Sequence, residues 1–138
     1  MKKLFLFAAI AFLCLSSCNE QKEPTQMQNV MAIHDEVMPQ MGKLGDLVGE
    51  LNAKENDSTE LGKKYMKAKK DLQAAHKSMM DWMQNFGNRF DPDEILNGKE
   101  LSEQKQQWLD EEEEKVKELK REITESIANA EALLEGDE

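Results

Sequence analysis

Aromatic side chains make up only 6% of this 138-residue chain, and three of its five phenylalanines fall within the first twelve positions. β-Branched residues are sparse as well. A sandwich or barrel draws its strands from those residue types, so their scarcity argues against an all-β fold. The two cysteines, Cys14 and Cys18, both lie near the start. Beyond residue 18 there can be no intrachain disulfide, no thiol nucleophile and no cysteine zinc site. Basic residues are outnumbered, 18 against 28 acidic, for a net charge of -10. Such acidity repels phosphate backbones and anionic lipid headgroups, which excludes nucleic acid as a partner. No glycine-rich phosphate loop is present, and Ser58, Ser78, Ser102 and Ser126 stand in no nucleophile motif. The expectation is therefore a protein that is not an enzyme.

What is present begins with a leader. Met1-Lys2-Lys3 is followed by an uncharged apolar run, Leu4 to Leu15, and then by the quartet Leu15-Ser16-Ser17-Cys18. The run is shorter than the ~20 residues a spanning helix needs. A basic start, a short apolar core and small residues at the cut together make a secretory signal. An ordinary secreted protein cut elsewhere is the competing reading. The quartet resembles the lipobox of bacterial lipoproteins. That resemblance implies cleavage before Cys18, lipidation of its sulfur, and attachment of the mature chain to a membrane of the cell envelope. Asn19 follows the cysteine. In that family an aspartate there signals inner-membrane retention, so its absence favours the outer membrane, on either face. Cleavage removes Lys2 and Lys3, leaving 121 residues with a net charge of -12. That length suits one small domain.

The expected organisation after the signal at 1–17 is a tether over 18–26, a helical body over 27–135 and a tail over 136–138. Glu, Lys, Gln, Leu, Met and Ala dominate the body and favour helix throughout. Apolar residues recur at three-four spacing, which predicts helices over about 26–54, 58–86 and 101–134. Capping boxes are expected at Thr25 with Gln28 and at Asp57 with Glu60. Pro39 should bend the first helix, and Gly87-Asn88 should stop the second. Asp91-Pro92 should start a short turn through Leu96. Gly42, Gly45 and Gly49 flank the first apolar stripe, which suggests a neighbouring helix packed unusually close. Residues 58–90 carry seven basic and three acidic groups, whereas 19–57 carry three and eight and 99–138 carry six and fourteen. A basic middle helix between acidic neighbours fits an all-α, three-helix antiparallel bundle with coiled-coil-like packing. A monomer is favoured. The alternative is an extended coiled coil that dimerises.

One pattern occurs twice. His34, Met38 and Met41 share the spacing His-x-x-x-Met-x-x-Met with His76, Met80 and Met83, and these are the two histidines of the chain. Residues at i, i+4 and i+7 lie on one helix face. If the first two helices form a hairpin turning near Asn56-Asp57, His34 falls level with Met79 and Met80, and His76 with Met38. Thioether with imidazole selects Cu(I), and His/Met is also a haem axial pair. The alternative is that methionine simply fills an irregular helical core. The acidic run Asp110 to Glu114 has no Ca²⁺-loop spacing and is expected to be a solvated face.

The segments around His34-Asp35-Glu36-Val37-Met38-Pro39 and Met80-Asp81-Trp82-Met83-Gln84-Asn85-Phe86 resemble a group of small bacterial lipoproteins sometimes labelled "viral A-type inclusion protein". That resemblance implies a helical lipoprotein and brings no activity or ligand with it. The expectation is a lipid-anchored interaction or scaffolding module with a protein partner. Cu(I) or haem handling is the alternative.

Overall fold

Thr25 opens the first helix through the expected capping box. Its hydroxyl accepts the Gln28 backbone N–H at 3.2 Å, and the Gln28 side chain accepts the Thr25 N–H at 2.8 Å. The structure is a computed structural model that describes residues 25–136. The leader, Cys18, residues 19–24 and residues 137–138 lie outside the described residues. Helix α1 spans Gln26–Val37 and α2 spans Gln40–Lys54. Where one bent helix was expected, the chain breaks into two. Pro39 lacks an N–H, and its ring crowds the carbonyl four residues earlier, so the hydrogen-bond ladder is interrupted there. Met38 and Pro39 keep right-handed helical dihedrals, so the path deflects without reversing.

Helix α3 spans Glu60–Arg89, α4 Pro92–Leu96 and α5 Glu103–Glu135. The start of α3 differs from the expected Asp57–Glu60 box. Thr59 is the cap, its hydroxyl accepting the Gly62 N–H at 2.9 Å. The Asn56 side chain in turn accepts the Thr59 N–H at 3.0 Å and the Ser58 N–H at 3.2 Å. An asparagine that mimics a backbone turn in this way outcompetes a cap two residues earlier. The expected stop at Gly87-Asn88 also fails. Phe90 is buried just beyond the helix and its N–H bonds to the Phe86 carbonyl, so burial of the ring outweighs the ~1 kcal/mol that Gly87 costs in a helix. Asp91-Pro92 does start the short α4, and Ser102 caps α5.

The described residues are thus all-helical with packed helices, in five helical segments and not three. Helix α3 packs on α2 and α5, and α5 packs on α1 and α2. Side-chain pairs give the directions. Lys69 reaches Asn52, Ser78 meets Glu122 and Arg89 meets Glu111, so α3 runs opposite to both α2 and α5. Gln26 meets Asp110, Glu36 meets Lys120 and Lys43 meets Glu131, so α1 and α2 run alongside α5 in the same sense. Val30, Val37, Leu44 and Leu51 meet Leu72, Ala75 and Met79 and the α5 stripe from Leu109 to Ala130 in one core. Leu47 joins that core, while Leu61, at the start of α3, is 38% exposed.

The three glycines of α2 do not mark a close approach. A Cβ added at Gly42, Gly45 or Gly49 would meet nothing within 4 Å. The tight glycine is Gly62, where a Cβ would lie 2.4 Å from the Asn56 amide nitrogen and 2.6 Å from the Asn56 carbonyl oxygen. Gly45→Ala should therefore stabilise the fold by about 0.5–1 kcal/mol, since alanine restricts the unfolded chain and suits a helix. Gly62→Ala should destabilise it by about 1–3 kcal/mol through overpacking. Urea unfolding of the two variants measures both. A loss of stability in Gly45→Ala would reinstate close packing at α2.

The α4 turn carries a pH dependence. The Lys99 ammonium, and then the Glu94 N–H, hold the Asp91 carboxyl below the usual carboxylate range. Lys105 and the Asp91 N–H do the same for Glu94. Because the folded values are lowered, this support is complete above the ordinary carboxylate range near about 4 and is lost as pH falls through the lowered values. Amide signals of residues 91–97 should broaden in acid, and Asp91→Asn should flatten the acid limb. An unchanged limb in that variant would show that the carboxylates do not hold the turn.

Candidate functional site

The two histidines occupy different environments. His34, on α1, has a side chain only 12% exposed, and its Nδ1 lies 2.9 Å from the Asp35 carboxylate. Its ring stacks on Trp82 of α3 with centroids 5.6 Å apart. Ring contacts continue from Trp82 to Phe86, stacked at 4.9 Å, and from Phe86 to Phe90, tilted at 4.8 Å. His34 Nε2 is buried with no hydrogen-bond partner among the described residues. His76, on α3, is exposed. Met38 and Met41 are half-buried against the core, whereas Met80 and Met83 are 39% and 38% exposed.

These positions revise the expected pairing. A hairpin register inferred from the turn alone sets His34 against Met79 and Met80. The ring stack sets it against Trp82, two to three residues further along α3. The Trp82 indole, not a thioether, faces the imidazole. His76 lies six residues before Trp82, about 9 Å along the axis, so the structure does not bring the two imidazoles to one level. Helix periodicity alone had grouped each histidine with the methionines of its own helix. Filling of the core explains Met79, which is fully buried, but not Met80 or Met83.

A second feature lies between α3 and α5, where a groove of about 670 Å³ is lined by Ser78, Trp82, Asn85, Glu112 and Glu118 among others. Glu112 is wholly buried. Its Oε1 accepts Arg89 Nη1 and Lys115 Nζ, each at 2.9 Å, and its Oε2 has no partner. Arg89 also pairs with Glu111 at 2.8 Å and lies 5.4 Å from the Trp108 ring centre. The acidic run was expected to be solvated throughout, and Glu112 departs from that. The signal was there: Glu112 stands three residues after Leu109 and four before Val116, on the inner stripe of α5. The rest of the run is engaged at the surface, Asp110 and Glu113 with Gln26, and Glu113 and Glu114 with Lys117. Among the described residues no three His, Cys, Asp or Glu side chains converge to hold a metal ion. Thioether sulfur would have to complete any such site.

Among the described residues the geometry is that of a helical bundle with an aromatic stack and a buried charge cluster. Compared with protein-family models, with curated proteins and with solved structures, the chain matches none. Both resemblances to lipoproteins therefore rest on the residues that carry them.

The buried cluster generates a direct test. Arg89→Ala removes one of the two cations that compensate a carboxylate out of water. It should cost about 2–4 kcal/mol in chemical unfolding, with Lys115 compensating in part. Adding Glu112→Gln to that variant should recover much of the loss. A double variant no more stable than Arg89→Ala alone would show that the charge of Glu112 is not what Arg89 compensates.

Proposed function

We propose that the protein is a lipid-anchored component of the bacterial cell envelope whose helical body acts as a non-enzymatic interaction or scaffolding module. The observation that carries this reading is the quartet Leu15-Ser16-Ser17-Cys18 at the end of a short apolar leader. In the reading, Cys18 bears the lipid, and a tether of a few residues leads to the capped start of α1 at Thr25. More than one acyl chain is needed for lasting attachment, since a single chain binds membranes only marginally. Among the described residues no helix is long and apolar enough to cross a membrane, which is compatible with attachment through the lipid. The segments α1 with α2, α3, and α5 act as the three rods of an antiparallel bundle, monomeric, with a protein partner. Asn19 after the cysteine favours the outer membrane.

The experiment is expression of the full chain in a lipoprotein-processing bacterium with an alkyne-tagged fatty acid, followed by membrane fractionation. The wild-type chain should carry label and sediment with the outer membrane. Cys18→Ala should lose the label and leave the membrane fraction. A Cys18→Ala chain that stayed processed and membrane-bound would overturn the reading.

A further inference from the structure

We propose that the groove between α3 and α5 binds a linear aliphatic polyamine. Its ammonium groups seat along Glu114, Glu118 and Glu122 of α5 and beside Asp81 of α3, and one N–H is donated to Glu112 Oε2. Such a site goes beyond the anchored-module reading and does not depend on the lipid.

The groove itself brings these groups together. Its volume of about 670 Å³ suits a small molecule. Five carboxyl groups line it, those of Asp81, Glu112, Glu114, Glu118 and Glu122, against the single ammonium group of Lys115. Lys115 is already bonded to Glu112 Oε1 at 2.9 Å, so the lining keeps a surplus of negative charge. Two contacts set the register of the walls. The Ser78 hydroxyl donates to Glu122 at 3.4 Å, and Arg89 Nη1 donates to Glu111 at 2.8 Å. Glu118 therefore stands level with Trp82, next to Asp81, and Glu114 and Glu122 stand one turn to either side.

Spacing selects the shape of the cation. Glu114, Glu118 and Glu122 recur every four residues, so they follow one another at about 6 Å along the helix axis. Nitrogens joined by three or four methylenes in an extended chain stand about 5–6 Å apart by ordinary bond lengths. Successive ammonium groups can thus meet successive carboxylates, with the methylenes lying against Leu119 and Trp82, which also line the groove. A compact metal ion is served less well, because among the described residues no three acidic groups converge. The carboxylates are available. Asp81, Glu114 and Glu118 pair with Lys77, Lys117 and Arg121 of their own helices, in exposed pairs that a polycation displaces at little cost. Glu112 supplies the second sign of a ligand. It is wholly buried, its Oε1 takes both Arg89 and Lys115, and its Oε2 has no donor among the described residues. A carboxylate oxygen held from water without a donor is unfavourable, and an ammonium N–H from the groove satisfies it.

The test uses the full chain purified in nonionic detergent and titrated calorimetrically with spermidine at fixed ionic strength. Trp82 fluorescence is followed in parallel in a Trp108→Phe background. The expected result is one spermidine per chain, a change in Trp82 emission, and affinity that falls as added salt screens the ion pairs. Glu118→Gln with Glu122→Gln should weaken binding by more than about tenfold, since two charge-assisted contacts are lost at exposed positions that do not hold the fold. Glu112→Gln, its fold checked by circular dichroism, should weaken binding by about threefold or more. Glu103→Gln with Glu125→Gln removes two charges of α5 outside the groove and should change affinity by less than about twofold. No saturable binding would overturn the proposal, as would affinity unchanged in Glu118→Gln with Glu122→Gln, or equal loss in the control pair. So would a capped tetralysine peptide that binds more tightly than spermidine, which would make the groove a site for a basic protein segment.

Discussion

The stack of His34 on Trp82, continued by Phe86 and Phe90, sets the height at which α1 meets α3. Trp82, Phe86 and Phe90 are all buried, and aromatic contacts of this kind add to the burial itself. Sliding α1 by one turn would take the imidazole off the indole. His34 thereby stands level with Trp82, and not with Met79 or Met80. Phe90 also carries α3 past Gly87, and so fixes where the α4 turn begins.

Charge plays a smaller part in holding the helices together than the composition suggests. The basic character of α3 implies lysines reaching to acidic neighbours. Lys69 does pair with Glu55 and Arg89 with Glu111 and Glu112. Lys63, Lys67 and Lys77, however, pair with Glu60, Asp71 and Asp81 on their own helix. Exposed pairs of that kind contribute a few tenths of a kcal/mol and do not choose a partner helix. The exception is Glu112, where a buried carboxylate needs Arg89 and Lys115 to be tolerable at all. That requirement couples the end of α3 to the third turn of α5.

Much of the helical layout was legible along the chain. Thr25 with Gln28, Asp91 with Pro92, and Ser102 announce helix starts because capping needs only a few neighbouring residues. The stripes from Val30 to Leu51, Tyr65 to Phe86 and Leu109 to Ala130 announce the core because burial repeats with the helix period. The errors have different causes. At the α3 start Asn56 and Thr59 displaced Asp57 through competing hydrogen bonds within three residues, whereas burial of Phe90 overrode Gly87 and the α2 glycines face open space, outcomes set by the packing of the whole fold. For the candidate site, the spacing of the histidines and methionines was visible, but not that His34 packs on Trp82 while His76 is exposed.

By itself the sequence determined that the chain is helical, that its leader ends in a lipobox-like quartet, and where most helices begin. Those properties depend on composition, periodicity and capping, which act over a few residues. Only the tertiary structure decided that the first helix divides at Pro39, that Glu112 is buried, and that His34 stands level with Trp82. Register between helices is a sum over side chains far apart in the chain. A shift of two or three residues, invisible to any local pattern, changes every neighbour across the seam.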